Sequence, residues 1–235
     1  MKRSLIISDI HGEIELFEQL LTDVSYDSSN DQLILLGDYV DRGPNSKKVL
    51  DKVTELKSQG AFVLKGNHED MMIKALTTDE ERSWKNWVNR NGGSKTLESF
   101  GFTESEFVVL DEEKFNKPML NCETLDKHLN FIQNLEHFIE LEEYIFVHAG
   151  VNPNLPIKET DPYTLMWIRE DFYNEYSGDK TVIFGHTPTK YLHDNHSIYF
   201  GENRIIGIDG GAVFGGQLNC LELPSKKVYS VKSDK

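Results

Sequence analysis

The chain is short of several things, and each shortage removes a class of protein. It has two cysteines, Cys122 and Cys220, too few and too far apart for a disulfide framework or a structural zinc cluster. They read as ordinary intracellular thiols. Basic residues are outnumbered, with 25 Lys plus Arg against 39 Asp plus Glu, leaving a net charge of −14 over 235 residues. That balance argues against a broad basic face for duplex nucleic acid, while a local phosphate site stays open if metal supplies the positive charge. No apolar run approaches the ~20 residues of a membrane span. Met1-Lys2-Arg3 has the charge of a signal peptide, but only a few apolar residues follow before Asp9. A cytoplasmic protein without membrane partners is expected. Internal repeats, low-complexity tracts and an interdomain linker are also missing, so residues 1–235 are read as one domain.

What the chain does have is concentrated in three segments of its first third. Ser8-Asp9-Ile10-His11-Gly12, Gly37-Asp38-Tyr39-Val40-Asp41-Arg42-Gly43 and Gly66-Asn67-His68-Glu69 each follow an apolar run: Leu5–Ile7, Leu33–Leu36 and Ala61–Leu64. The runs read as buried strands. Between them Ile14, Phe17, Leu20, Leu21 and Val24 form one helical stripe, and Val49, Leu50, Val53 and Leu56 another. The predicted pattern is βαβαβ, an α/β fold.

Strand-like runs resume at Tyr144–Val147 and Thr181–Phe184, each followed by a histidine, His148 and His186. From about 70 to 143 the chain is polar and helix-rich, broken by Asn91-Gly92-Gly93, and is read as a helical cap insertion over the sheet edge. Its charges suit a solvated helical face better than a partner site. Four further runs, at 197–200, 204–208, 217–223 and 226–231, look like antiparallel strands of a second sheet.

A pair of divalent cations needs hard oxygen ligands, a carboxylate able to bridge, and imidazoles that complete each shell without excess charge. Asp9, His11, Asp38, Asn67, His148 and His186 are those residue types. Singly, each has a commoner explanation: Asp-x-His after a strand as a turn or cap, Asn67 as a turn residue, the two histidines as satisfied strand-end side chains. Five ordered segments, each just beyond an apolar strand where open α/β sheets bind ligands, reverse that judgement.

These motifs carry a resemblance. The chain resembles the phosphoprotein phosphatase branch of the calcineurin-like metallophosphoesterases, bacterial type, whose signatures are GDxHG, GDxVDRG, GNHE, HGG or HAG, and a late GHT. Here Ser8 replaces the first glycine and Ala149 stands within the fourth motif. The segment Ile208-Asp209-Gly210-Gly211-Ala212 and the Asn91-Gly92-Gly93 turn are similar to bacterial members. The resemblance implies a four-layer α/β/β/α sandwich and two divalent cations, manganese first, with iron or zinc as alternatives. By motif position Asp9 and His11 would bind the first metal, Asp38 would bridge, and Asn67, His148 and His186 would bind the second. Two cations sharing a bridging water make hydroxide at neutral pH and polarise the phosphoryl group it attacks, so no covalent phosphoenzyme is required.

His68 follows a ligand directly and suits a general acid that protonates the leaving oxygen. Asp41 would orient it, since a carboxylate on one ring nitrogen favours imidazolium. The plainer reading of Asp41 is a cap for the helix after Pro44. Arg42 offers a planar fork for phosphoryl oxygens, and Arg169 resembles the family's second phosphate-binding arginine, although an exposed helical arginine is the common alternative. Asn67 is counted with these arginines as substrate-binding.

Two enzymatic readings share this chemistry: a serine/threonine, or dual-specificity, protein phosphatase, which is preferred, and symmetrical hydrolysis of diadenosine tetraphosphate or a related phosphoanhydride. The substrate is accordingly a phosphorylated protein or a small phosphorylated molecule. Trp84, Trp87, Tyr39 and Phe214 are the candidate base platforms for a nucleotide, packing being their usual role. A non-catalytic scaffold of the same fold ranks last, because every ligand and the acid are present.

Overall fold

The computed structural model describes residues 3–109 and 115–234. In chain order the first part runs β1 (Arg3–Ile7), α1 (Ile14–Asp23), β2 (Asp31–Leu35), α2 (Ser46–Ser58), β3 (Phe62–Val63) and α3 (Asn67–Thr77). Then come α4 (Glu81–Lys85), a π-helical turn (Asn86–Arg90), α5 (Gly93–Ser99), α6 (Glu104–Phe107) and α7 (Glu123–Gln133). The second part has β4 (Phe138–Glu140), β5 (Tyr144–Val147), α8 (Pro162–Trp167), α9 (Glu170–Glu175) and β6 (Thr181–Phe184). It closes with β7 (Tyr199–Phe200), β8 (Ile205–Gly207), β9 (Gln217–Leu223) and β10 (Lys227–Lys232).

The strands form two mixed five-stranded sheets, in the orders β10-β9-β1-β2-β3 and β4-β5-β6-β8-β7. Side-chain alternation explains why the central strands read as unbroken apolar runs. Leu5 and Ile7 of β1, with Leu33 and Leu35 of β2, join a core shared with α1, α2 and the helices up to α7. The intervening Ile6, Ile34 and Leu36 enter a second core, where they meet Phe146 of β5 and Ile183 of β6. Ile145, Val147, Val182 and Phe184 turn to a third core with Leu165 of α8 and Phe172 of α9. Three cores separate four layers, so the α/β/β/α sandwich is the observed fold.

The tail differs from its expected arrangement. β7 and β8 do enter the second sheet, but β8 runs parallel to β6, with Ile206 opposite Ile183. β9 and β10 form a hairpin in the first sheet, β9 antiparallel to β1 with Leu221 opposite Ile6. The cause is the free side of β1. β9 alternates so that Leu221 and Leu223 reach the inter-sheet core while Leu218 and Cys220 reach the helix-covered one, and the partners Ile6–Leu221 and Ile7–Cys220 each share a core. Within the helix-rich stretch, Trp84, Trp87, Leu97, Phe107, Leu125 and Ile132 pack into the same core as α1 and α2.

Candidate metal centre and active site

The loops leaving β1, β2, β3, β5 and β6 converge at the carboxyl ends of the parallel strands. Asp9, His11, Asp38, Asn67, His148 and His186 are all buried there. The chain reaches this arrangement through an unusual backbone. Nine non-glycine residues among those described have positive φ, and Asp9, His11, Asp38, Asp41, Arg42 and His186 are six of them. Such left-handed residues are uncommon outside glycine, and strain of this kind gathers at functional sites. Glycine appears where even that is insufficient: a Cβ on Gly66 would lie 2.2 Å from Asp38 Oδ1, and one on Gly185 2.1 Å from Asp9 Oδ2.

Two groups of buried ligand-type atoms meet at one carboxylate. His11, Asp38 and His68 form one, Asp38, His148 and His186 the other, and Asp38 belongs to both. Asp38 Oδ2 is 3.5 Å from His11 Nε2, and Oδ1 is 3.4 Å from His148 Nε2. On the second side Asn67 Oδ1 lies 2.9 Å from His148 Nε2 and 2.8 Å from His186 Nδ1. Donor atoms bound about 2.1 Å from one cation sit roughly 3 Å from each other, so this convergence fits a metal. Backbone carbonyls fix the ring tautomers. His11 Nδ1–H donates to Val40 O at 2.8 Å and His148 Nδ1–H to Leu36 O at 2.9 Å, so that each Nε2 faces the cluster. His186 Nε2 is buried without a hydrogen-bond partner among the described residues.

Asp9 ties the two sheets together. Its oxygens accept the His186 backbone N–H at 3.1 and 3.0 Å, and Ser8 Oγ–H donates to Oδ2 at 2.5 Å. The serine in place of the motif glycine is thus a hydrogen-bond donor to the adjacent Asp9 carboxylate.

The electrostatics are those of a site that seeks positive charge. Burial pushes the Asp9 carboxyl up, and Asp38 beside it adds to the effect. Burial acts the same way on Asp38, but His148 and His68 outweigh it and hold that carboxyl well below the usual range. For His148 burial lowers the imidazole, yet Asp38 and Asp9 bring it up to about 9. Burial, with His68 and Arg42, lowers His11 well below the usual imidazole range, and burial with His148 and Arg169 does so for His186, which favours the uncharged form that binds metal.

The other sequence-predicted residues surround this cluster. His68 Nδ1 is 2.6 Å from Asp41 Oδ2, with both side chains buried. Asp41 does not cap α2: its carboxylate is occupied by His68, by Trp87 Nε1–H at 2.9 and 3.0 Å, and by Thr96 Oγ1–H at 2.7 Å. Arg42 Nη1–H donates to His11 Nε2 at 2.7 Å, and its guanidinium lies 5.0 Å from the centre of the Phe214 ring. Arg169 is brought to the site by donating to Thr187 Oγ1, next to His186.

Three of the four candidate base platforms are withdrawn by burial. Trp84, Trp87 and Tyr39 are sealed in the core, and only Phe214, 55 % exposed, presents a ring. Residues the sequence reading missed include Trp87 and Thr96 as holders of Asp41. The signal was the Asn91-Gly92-Gly93 turn, whose Gly92 carbonyl accepts the Arg42 N–H and whose Gly93 packs on the Trp87 ring. Glu69 was also missed. It accepts N–H bonds from Asp38, Tyr39 and Gly66 at 2.8 to 2.9 Å, fixing the β2 loop, and burial followed by Asp38 raises it to about 7.

Two buried His/Asp clusters sharing a carboxylate, at the strand ends of an α/β/β/α sandwich, define a dinuclear metallophosphoesterase. The chain belongs to the calcineurin-like phosphoesterase family, whose family model matches residues 2–216. Its curated relatives include members of two functional groups of the phosphoprotein phosphatase-like branch. Bis(5'-nucleosyl)-tetraphosphatase PrpE [asymmetrical] of Oceanobacillus iheyensis is 28% identical over 256 residues, 97% of this chain and 91% of that protein. Serine/threonine-protein phosphatase 1 of Salmonella typhimurium is 26% identical over 231 residues, 93% of this chain and 90% of that one. Among solved structures, a diadenosine tetraphosphatase by provisional assignment superposes with a TM-score of 0.71 at 22% identity, covering 99% of this chain and 94% of that one. A yeast protein serine/threonine phosphatase gives 0.61 at 12% identity, covering 99% and 80%. At these identities the structural matches speak for the fold alone.

Proposed function

We propose that the protein hydrolyses dinucleoside polyphosphates, cleaving diadenosine tetraphosphate asymmetrically into AMP and ATP. The observation that carries the choice of substrate is the near full-length similarity to asymmetrical tetraphosphatases from several species. It favours the phosphoanhydride reading over the protein phosphatase preferred from sequence, and asymmetrical over symmetrical cleavage. The Salmonella phosphatase keeps phosphoprotein hydrolysis as the second reading.

Asp9 and His11 would hold one cation, Asn67, His148 and His186 the other, and Asp38 would bridge; manganese suits this mixed oxygen and imidazole set. When bound, the pair polarises a phosphoryl group and acidifies water for attack on phosphorus. Arg42, beside His11, and Arg169, beside His186, bind phosphoryl oxygens from two sides. His68 gives its proton to the bridging oxygen that departs as the P–O–P bond breaks, and Asp41 keeps its ring turned toward that oxygen. Water supplies the new P–O bond and restores the proton.

Anion-exchange analysis of products from the manganese-loaded protein tests this. AMP and ATP in equal amounts are expected. ADP alone would indicate symmetrical cleavage, and phosphate release from phosphoserine peptides with the dinucleotide untouched would restore the phosphatase reading.

A further inference from the structure

An exposed aromatic surface on the His186 side of the metal cluster has no part in the mechanism above. Tyr163 is 62 % exposed and lies near-parallel to Trp167 in an offset stack, ring centres 5.8 Å apart and planes 19° apart. Trp167 meets His186 edge-on at 6.0 Å. The two stacked rings therefore form a step leading away from the second metal position. Their backbone is firmly seated. The Ala149 N–H, next to His148, donates to Leu165 O at 2.9 Å, and Asp161 caps α8 through the Thr164 N–H at 3.0 Å. Leu165 and Met166 are buried. Trp167 lies alongside the tyrosine in a near-parallel plane and leaves most of the Tyr163 ring in solvent.

We infer that the outer face of Tyr163, backed by Trp167, is a stacking platform for a nucleobase of the substrate. This deepens the nucleotide reading and rests on it. An exposed flat ring takes a planar heterocycle by stacking, and tyrosine has few torsions to order. Arg169, in the turn between α8 and α9 and anchored on Thr187 beside His186, is placed to meet the phosphates of such a nucleotide. The Trp167 indole N–H is buried without a partner among the described residues, so this ring contributes stacking and support and no internal hydrogen bond. The site discriminates a nucleoside phosphate from a bare phosphate ester by the base it carries.

The test is calorimetric titration of the manganese-loaded protein with AMP and with ribose 5-phosphate, which share everything except the base. Removing an aromatic platform costs a stacked base roughly 5- to 150-fold in affinity. AMP is expected to bind tighter than ribose 5-phosphate by a factor in that range in the parent and in Tyr163→Phe. In Tyr163→Ala the two should bind equally, with ribose 5-phosphate affinity unchanged, which also certifies the fold of the variant. A ratio near one in the parent overturns the platform, as does a ratio that survives Tyr163→Ala. So does tighter binding of a phosphopeptide with an aromatic neighbour than of AMP, lost in Tyr163→Ala, since the ring would then serve a peptide side chain. Dinucleotide hydrolysis by the parent is scored separately: cleavage without AMP preference keeps the function and removes the platform, and AMP preference without cleavage does the reverse.

Discussion

Replacing Trp87 by Phe isolates one hydrogen bond in the proposed acid machinery. The indole N–H is 2.9 and 3.0 Å from the two oxygens of Asp41, a buried carboxylate that also pairs with His68 at 2.6 Å. Phenylalanine keeps an aromatic ring against Trp84 and Gly93 and removes the donor. A hydrogen bond to a charged group is worth about 1.5 to 3 kcal/mol. Were all of it expressed in the transition state, kcat would fall roughly 10- to 150-fold; were all of it expressed in folding, kcat would stay put and the protein would melt earlier. We expect the first pattern, since a carboxylate left with His68 and Thr96 as its side-chain partners no longer fixes the imidazole. The assay compares kcat on an alkyl phosphate, whose leaving group needs a proton, with kcat on p-nitrophenyl phosphate, while bound metal and melting temperature are measured on the same sample. The alkyl substrate should suffer the larger loss at unchanged metal content. Equal losses on both substrates, or a lower melting temperature with kcat intact, would refute a positioning role for Trp87.

Other expectations follow from the same geometry. Chelation should abolish turnover, and Asp38→Ala should be the most damaging ligand change, with both cations lost by elemental analysis, because this carboxylate belongs to both clusters. His68→Ala should lower kcat by ~10² to 10⁴ while metal content is retained; loss of metal in this variant would make His68 a ligand instead. Cys220 is fully buried and burial pushes its thiol up to about 12, whereas Cys122 is partly exposed. At neutral pH a thiol reagent should therefore modify one cysteine in the native protein and both in denaturant.

The parts of the fold legible in the sequence are those governed by local pattern. The stripes at Ile14–Val24 and Val49–Leu56 became α1 and α2, and the runs before Asp9, Asp38, His148 and His186 became β1, β2, β5 and β6. Sheet membership of β9 was not legible, because the alternation of Leu218 to Leu223 specifies two buried faces without naming the neighbour, and β1 offered a free edge across more than two hundred residues. The residues that gather at the cluster were readable as well, since few side-chain types can serve a cation. Their exact assembly was not: positive φ at His11 or Arg42 has no sequence marker comparable to glycine. Trp87 illustrates the same limit. Its apolar bulk predicts burial or stacking, and only its placement against Asp41 reveals that the N–H matters.

The contact between Asp9 and the His186 N–H joins residues 177 positions apart and belonging to different sheets. A cation pair held by Asp9, His11 and Asp38 from one sheet and His148 and His186 from the other would be a ligand of the assembled native state alone. Folding and metallation then form a single linked equilibrium, with free cation at a hundred times its dissociation constant adding about 2.7 kcal/mol to stability. The melting temperature becomes a titration curve for metal, readable without any substrate. A cell that withholds the ion would lower the amount of folded protein as well as its turnover, so abundance and activity would respond to the same supply.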